Sequence, residues 1–274
     1  MSGINDHELD DIYRFAVQLG KDAGQMLMDA ASRRMQGDNG ATTTTTTTSS
    51  SVSYVEKENS VDLVTQTDHD VEHFIHTSIA DRYPDHKFIG EETYSASASR
   101  DYLVDASSPT WIVDPLDGTV NFTHLFPMFC VSIALAVDGV PVIGVVNAPF
   151  LHQTFSSCRG RGAWLNGEQR LPLVRSPVPP IPVDAPSGCT FACEWGKDRR
   201  DTPEGNLMRK IDSFVNMAAE RKGRGGKGGM VHGVRSLGSP AGDTPSETGR
   251  QSQERVVREV WKRVQVLDYS RPGA

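Results

Sequence analysis

The chain has 274 residues, 37% of them hydrophobic, and a formal charge of −7. That is enough apolar material to bury a core as one large domain or two coupled halves, and the acidic balance argues against nucleic acid or an anionic membrane as the main partner. No apolar run is long enough to span a bilayer, and Met1–Asp6 has neither the basic region nor the apolar stretch of a secretory leader, so a soluble, cytoplasmic protein is expected. Cys130, Cys158, Cys189 and Cys193 show no disulfide framework. The spacing of Cys189 and Cys193 fits neither a zinc knuckle nor a redox pair, and all four read as buried or free thiols.

Asn5 followed by Glu8 fits a capping box. Leu9, Ile12, Tyr13, Ala16, Leu19, Ala23, Met26, Leu27 and Ala30 then recur at helical spacing, which predicts a packing helix with no chemistry of its own. Gly37–Ser53, with its run Thr42–Thr48, is polar low-complexity sequence that cannot bury a core. In Glu56-Lys57-Glu58-Asn59, Lys57 is either a cation available to a phosphate or a solvated charge between acids. His69, His73 and His76 share one helical face, a spacing that invites zinc. Val71, Phe74, Ile75 and Ile79 lie opposite, so the histidines read as the solvated side of an amphipathic helix.

Phe88-Ile89-Gly90-Glu91-Glu92-Thr93 is an apolar strand ending in paired acids, and Ser95–Ser108 reads as a polar loop. Trp111-Ile112-Val113 is a buried strand by β preference, and Pro115 is expected to end it at Asp114. Asp117-Gly118 is a turn dipeptide in which Gly118 allows a sharp bend or the close approach of a ligand. Two such strand ends side by side would gather Glu91, Glu92, Asp114 and Asp117 into a four-carboxylate pocket able to hold divalent ions, with the Gly118 and Thr119 amides beside it for an anion. Taken alone, Asp114–Gly118 is also compatible with a strand and an ordinary turn.

Cys130–Val137 and Val140–Val146 flank Asp138-Gly139, a strong hairpin signal. Thr154–Ser156, Ala163–Leu165 and the Asn166-Gly167 turn extend this into an antiparallel meander without catalytic groups. Pro-rich Leu171–Pro186 reads as a crossover. Beyond it, Thr190–Cys193 predicts a strand, Glu204–Glu220 a helix, Gly223–Gly229 a flexible basic loop that lacks the Walker A spacing, and Met230–Val234 a further strand.

Val61-Asp62-Leu63-Val64-Thr65-Gln66-Thr67-Asp68, Gly90-Glu91-Glu92 and the twelve residues Trp111–Phe122 together closely resemble the inositol monophosphatases, from the first helix to about Ser239. Fungal members, some of which accompany quinate-pathway genes, look closest. The resemblance implies an α/β protein with the layered αβαβα sandwich of that family, acting as a Mg²⁺-dependent, lithium-sensitive phosphatase. It divides the chain into a metal-binding half (1–175), a partial C-terminal α/β half (176–239) and a divergent tail (240–274).

The implied roles follow residue by residue. Glu91 and Asp114, with the carbonyl of Leu116, hold one Mg²⁺, and Asp114 and Asp117 share a second. Glu91 and Thr119 orient the attacking water, and Asp68 is the acid behind it. Glu91, Leu116, Asp117, Gly118, Thr119 and Lys57 face a small phosphorylated polyol such as inositol monophosphate. Family members commonly form homodimers.

After Ser239 the resemblance stops. Pro240 and Pro245 break the expected helix, Trp261 precedes Lys262 rather than Asp, and Asp268 has no matching context, so the Trp-Asp motif that supplies a further metal ligand is missing. The tail reads as a different reading frame or splice product, leaving the second half incomplete and any activity impaired. A non-catalytic member that binds metal or a partner, and a nucleotide or bisphosphate phosphatase of the same superfamily, are the alternatives.

Overall fold

The capping signal at Asn5 opens the first helix: its Oδ1 accepts the Glu8 amide at 3.0 Å, and α1 runs from Asp6 to Met35. The computed structural model describes residues 4–35, 54–56, 63–96, 107–171, 173, 183–195 and 198–238, so the Thr42–Thr48 tract, Lys57 and the tail from 240 onward lie outside the described residues. Described residues up to Leu173 belong to one compact unit and those from Val183 to a second.

In the first unit, α1 buries a stripe of Leu9, Ile12, Ala16, Leu19, Ala23, Leu27 and Ala30, the spacing of a helix with one face on a core. A short antiparallel pair, β1 (Tyr54–Glu56) and β2 (Leu63–Thr65), leads into α2 (Gln66–Arg82). The stripes of α1 and α2 join one core cluster with Trp111, Phe122, Ile133, Leu135, Ile143 and Val145.

The sheet beneath them has seven strands in the order β3-β4-β5-β6-β7-β8-β9. β3 (Lys87–Gly90) is followed by the short α3 (Glu91–Ala96) and runs parallel to β4 (Thr110–Asp117). The remainder is an antiparallel meander of β5 (Cys130–Val137), β6 (Val140–Ala148), β7 (Gln153–Cys158), β8 (Gly162–Leu165) and β9 (Gln169–Arg170). Both dipeptide turns foreseen in the sequence put their central residues at positive φ: 52° and 72° at Asp138-Gly139, 54° and 73° at Asn166-Gly167. That is the twist-compatible hairpin geometry.

Two strand boundaries differ from expectation: the strand expected at Met230–Val234 of the second unit spans Gly233–Arg235, and β4 ends later than Asp114. β4 does not end at Asp114 but continues to Asp117 through a register shift. Pro115 is tolerated because a bulge leaves one residue out of the ladder. α4 (Thr119–Thr123) follows directly.

In the second unit, β10 (Thr190–Ala192) pairs in parallel with β11 (Gly233–Arg235), and α5 spans Leu207–Ala218, shorter at both ends than predicted. The basic glycine stretch is a bonded turn rather than a free loop. Gly229 and Met230 amides donate to the carbonyls of Asn216 (2.7 Å) and Ala219 (2.8 Å), and the Arg224 guanidinium reaches Asn216 (3.0 Å) and Asp212 (3.1 Å).

Candidate active site

Asp114 and Asp117 pose a parity problem. Residues three apart in a regular strand point to opposite faces of the sheet. Here Asp114 stands opposite Ser132 and Asp117 opposite Cys130, so three steps along β4 match two along β5. Ser132 and Cys130 share a face, and the bulge therefore returns both carboxylates to one face.

The turn is fastened from within. Asp114 Oδ1 accepts the Leu116 amide at 3.1 Å, and the Thr119 hydroxyl donates to the Leu116 carbonyl at 3.1 Å. Gly118 has φ 91° and ψ 37°. A Cβ there would lie 2.8 Å from the Met128 carbonyl oxygen and 3.3 Å from Phe129 Cα, so handedness and space both require glycine. The close approach at Gly118 is thus to the protein's own backbone. Phe122, buried, meets Phe129 edge-on at 5.2 Å, and Arg34 of α1 donates to the carbonyls of Phe122 (2.9 Å) and Thr123 (2.5 Å). The first helix therefore also braces the motif.

Glu91 comes from another element. Gly90 pairs with Val113 across the parallel strands, so the next residue, the first of α3, comes level with Asp114. Asp68, in the first turn of α2, is 2% exposed, and Asp117 is 4% exposed. Burial first, then the charges of Glu91, Asp117 and Asp68, hold the half-buried Asp114 carboxyl well above the usual carboxylate range, and the Leu116 amide offsets part of this. The buried Cys130 thiol, with Sγ 3.7 Å from Asp117 Oδ2, is pushed up by burial and then by Asp117 and Asp114.

The fourth acid of the cluster is Asp68, not Glu92. Glu92, 3% exposed, turns instead toward His69, whose Nε2 stands 3.6 Å from Glu92 Oε2. His69, His73 and His76 are exposed, as their spacing predicts, and with Glu72, Glu92 and Thr93 they line a separate cleft of about 190 Å³.

Among the described residues, no three His, Cys, Asp or Glu side chains stand close enough to ligate one ion. This is compatible with the electrostatics, because like charges act over several ångströms whereas a Mg²⁺–oxygen bond is ~2.0–2.1 Å. Glu91, Asp114, Asp117 and Asp68 converge in charge, not at ligation distance. The donor set fits a divalent cation by its chemistry: hard oxygens, one of them driven toward protonation by burial and then by the other three, are relieved when a cation takes the place of the proton.

Three neighbours escaped the sequence reading. Glu72 is a buried acid on α2, Cys130 touches Asp117, and Ser132 faces Asp114 with a buried hydroxyl. Only Glu72 left a trace, since it falls four residues after Asp68 and three before Ile75, on the inward stripe.

With this geometry in place, comparison with known proteins is decisive. A profile described as the inositol monophosphatase family matches residues 8–243. The chain belongs to the inositol monophosphatase family.

Quinic acid degradation cluster protein x of Neurospora crassa is 52% identical over 337 residues, covering 97% of this chain and 97% of that protein. Protein qutG of Emericella nidulans is 50% identical, covering 97% and 96%. Inositol monophosphatase 2 of Saccharomyces cerevisiae is 39% identical over 189 residues, 69% of this chain and 59% of that one. Among solved structures, the extragenic suppressor protein suhB of Bartonella henselae has TM-score 0.61 at 24% identity, covering 91% of this chain and 85% of that one. The Thermotoga maritima IMPase has TM-score 0.57 at 24% identity, covering 84% and 70%. The fold is therefore the α/β fold of this family, and membership supports a metal-dependent phosphatase.

The Neurospora alignment is also longer than this chain. It extends over 97% of both proteins yet runs to 337 positions, 63 more than the 274 residues of this chain. At least that many positions of the alignment therefore have no counterpart in this chain.

Proposed function

We propose that this chain is a Mg²⁺-dependent phosphate monoester hydrolase acting on a small phosphorylated polyol, inositol monophosphate being the first candidate. The observation that carries the reading is geometric: the bulge of β4 turns Asp114 and Asp117 to one face, level with Glu91 at the end of β3, and burial and then Glu91, Asp117 and Asp68 raise the Asp114 carboxyl. Glu91, Asp114 and the Leu116 carbonyl are the residues that would hold one ion, and Asp114 with Asp117 a second. Bound Mg²⁺ supplies positive charge against the phosphate oxygens and acidifies water. Glu91 and Thr119 orient the attacking water in line with the ester bond, with Asp68 as the acid behind them. The amides of Gly118 and Thr119 hold the phosphate, and Lys57 adds a positive charge. The quinate-cluster names of two relatives extend the substrate class to other cyclic polyol phosphates. A cytoplasmic enzyme and a homodimer complete the reading.

A second reading, a chain that binds metal or a partner with little turnover, is favoured by the sequence after Ser239, where the family's Trp-Asp ligand is absent. Phosphate release from inositol 1-phosphate over a Mg²⁺ series decides between them. The first reading expects Mg²⁺-dependent release that falls at least ~100-fold in Asp114→Asn, the scale for loss of a group that stabilises transition-state charge. Release that ignores Mg²⁺ would overturn it, and metal binding without release would establish the second.

A further inference from the structure

Glu72 lies on the inward face of α2 beside Val71 and Ile75, 4% exposed. A carboxylate so placed is costly unless its oxygens are hydrogen-bonded. Its bonds among the described residues all come from Glu92 and Thr93. Oε2 accepts the Glu92 amide at 2.7 Å, and Oε1 accepts the Thr93 amide at 2.7 Å together with the Thr93 hydroxyl. Those amides are the second and third of α3, donors that a helix start leaves without an intrahelical acceptor. On the other side, a Cβ on Gly90 would sit 2.4 Å from Glu72 Cδ and 2.5 Å from Oε2. The carboxylate therefore occupies the space that any other residue at position 90 would need. Glu91 is caught between, with the residue before it fixed by steric contact and the two after it by hydrogen bonds.

We infer that Glu72 is a positioning residue for Glu91, a buried carboxylate clamp that sets the β3–α3 turn and so delivers the Glu91 side chain to the acid cluster. Both its oxygens and its charge matter. Glutamine would keep one acceptor but turn an NH₂ toward an N–H donor, and aspartate would be too short to reach both amides. The inference rests on the reading of Glu91 as a metal ligand, but the clamp has an observable of its own that needs no metal.

The test uses the full chain, with Glu72→Gln, Glu72→Ala and, as a destabilised control on the same helix, Ile79→Val. Hydrogen exchange without metal reads the Glu92 and Thr93 amides, and terbium luminescence titration reads binding of a hard trivalent probe. Both Glu72 variants are expected to raise exchange at those two amides by on the order of 10-fold or more, as local opening becomes easier. They should weaken terbium binding ~10–100-fold, the range for losing a group that orients a ligand, with Glu72→Gln milder than Glu72→Ala. Ile79→Val should do neither. Unchanged exchange in Glu72→Gln and Glu72→Ala overturns the clamp, and faster exchange with wild-type terbium affinity overturns its role in positioning Glu91. If the unmodified chain binds no terbium, the metal reading of Glu91 fails and the exchange result alone decides the clamp. Should Glu72→Ala not fold, Glu72→Gln, which preserves shape, carries both measurements.

Discussion

The two units of this chain show what an amphipathic helix is worth with and without something to pack on. α1 buries ten residues, and every buried apolar side chain among the described residues lies in the first unit. α5 in the second unit is equally patterned, with Leu207, Ile211, Phe214, Val215 and Ala218 on helical spacing, yet it buries none of its residues. Its neighbours in that unit are a two-stranded sheet and the Trp195 ring, stacked on Phe214 at 5.1 Å. Pattern specifies which face turns inward, but stability comes from the area that face removes from water. A two-stranded sheet is too small to supply it. The alignment with the Neurospora relative contains at least 63 positions that this chain lacks.

The largest effect should come from exchanging the sequence after Ser239. A chimera in which the sequence after Ser239 is replaced by the C-terminal part of the Neurospora relative should hydrolyse inositol 1-phosphate roughly 100-fold faster at equal Mg²⁺, the scale on which misplaced or loosely held groups cost catalysis. Phosphate release by the two proteins in parallel is the measurement. Equal rates would show that the first unit alone carries the activity and that the contrast has no bearing on catalysis.

The next effect separates the units by stability. Ile133→Ala, at a fully buried position of β5, should cost about 2–5 kcal/mol in denaturant unfolding. Val215→Ala on α5, where the side chain is 42% exposed, should stay within about 0.5 kcal/mol. A large loss from Val215→Ala would mean that α5 packs on something in solution.

A smaller effect is set by pH. Burial holds the Cys158 thiol of β7 up at about 11 against an ordinary 9.0. The folded state thus binds this proton more tightly than the unfolded state does. The resulting stability is fully present below pH 9 and is lost as pH rises through about 11. The stability advantage of the wild type over Cys158→Ala should therefore narrow across that window, and a gap that stays constant would contradict the assignment.

The smallest effect is local to the second unit. The side chain and amide of Arg200 hold the exposed Asp198 carboxyl at about 2. An NMR titration should find it ionised well below the 3.8 of an ordinary aspartate. Its contribution is present above pH 3.8 and lost as pH falls toward 2. Being exposed, the pair should leave the overall melting temperature nearly unchanged.

Much of the first unit was legible because its signals are local. The Asn5 cap, the helical stripe of α1, the Asp138-Gly139 and Asn166-Gly167 turns and the glycine at 118 each state a backbone requirement within a few residues. Membership of the acid cluster was less legible, because it depends on three elements meeting. Glu91 and Glu92 are adjacent in sequence, and nothing local says that one joins Asp114 while the other turns to His69. Pro115 misled in the opposite direction. Its missing N–H predicts the end of a strand, whereas the bulge absorbs it and lets β4 continue. Glu72 is hard to single out because acids on helices are usually solvated, and only its place on the inward stripe of α2 marks it.

The arrangement of the sheet also has a consequence for the order of folding. From β4 to β9 each strand pairs with its successor, and two of these pairings turn on dipeptides that favour the hairpin. Such contacts close short loops and form in microseconds or tens of microseconds. β3 pairs in parallel with β4 and needs a crossover, so its contacts pay a larger closure entropy and come later. Asp114 and Asp117 belong to the early meander, while Glu91 arrives only with β3. On refolding of the full chain, the contacts that hold Asp114 and Asp117 are therefore expected to form before β3 docks, and Glu91 joins the acid cluster only once it has.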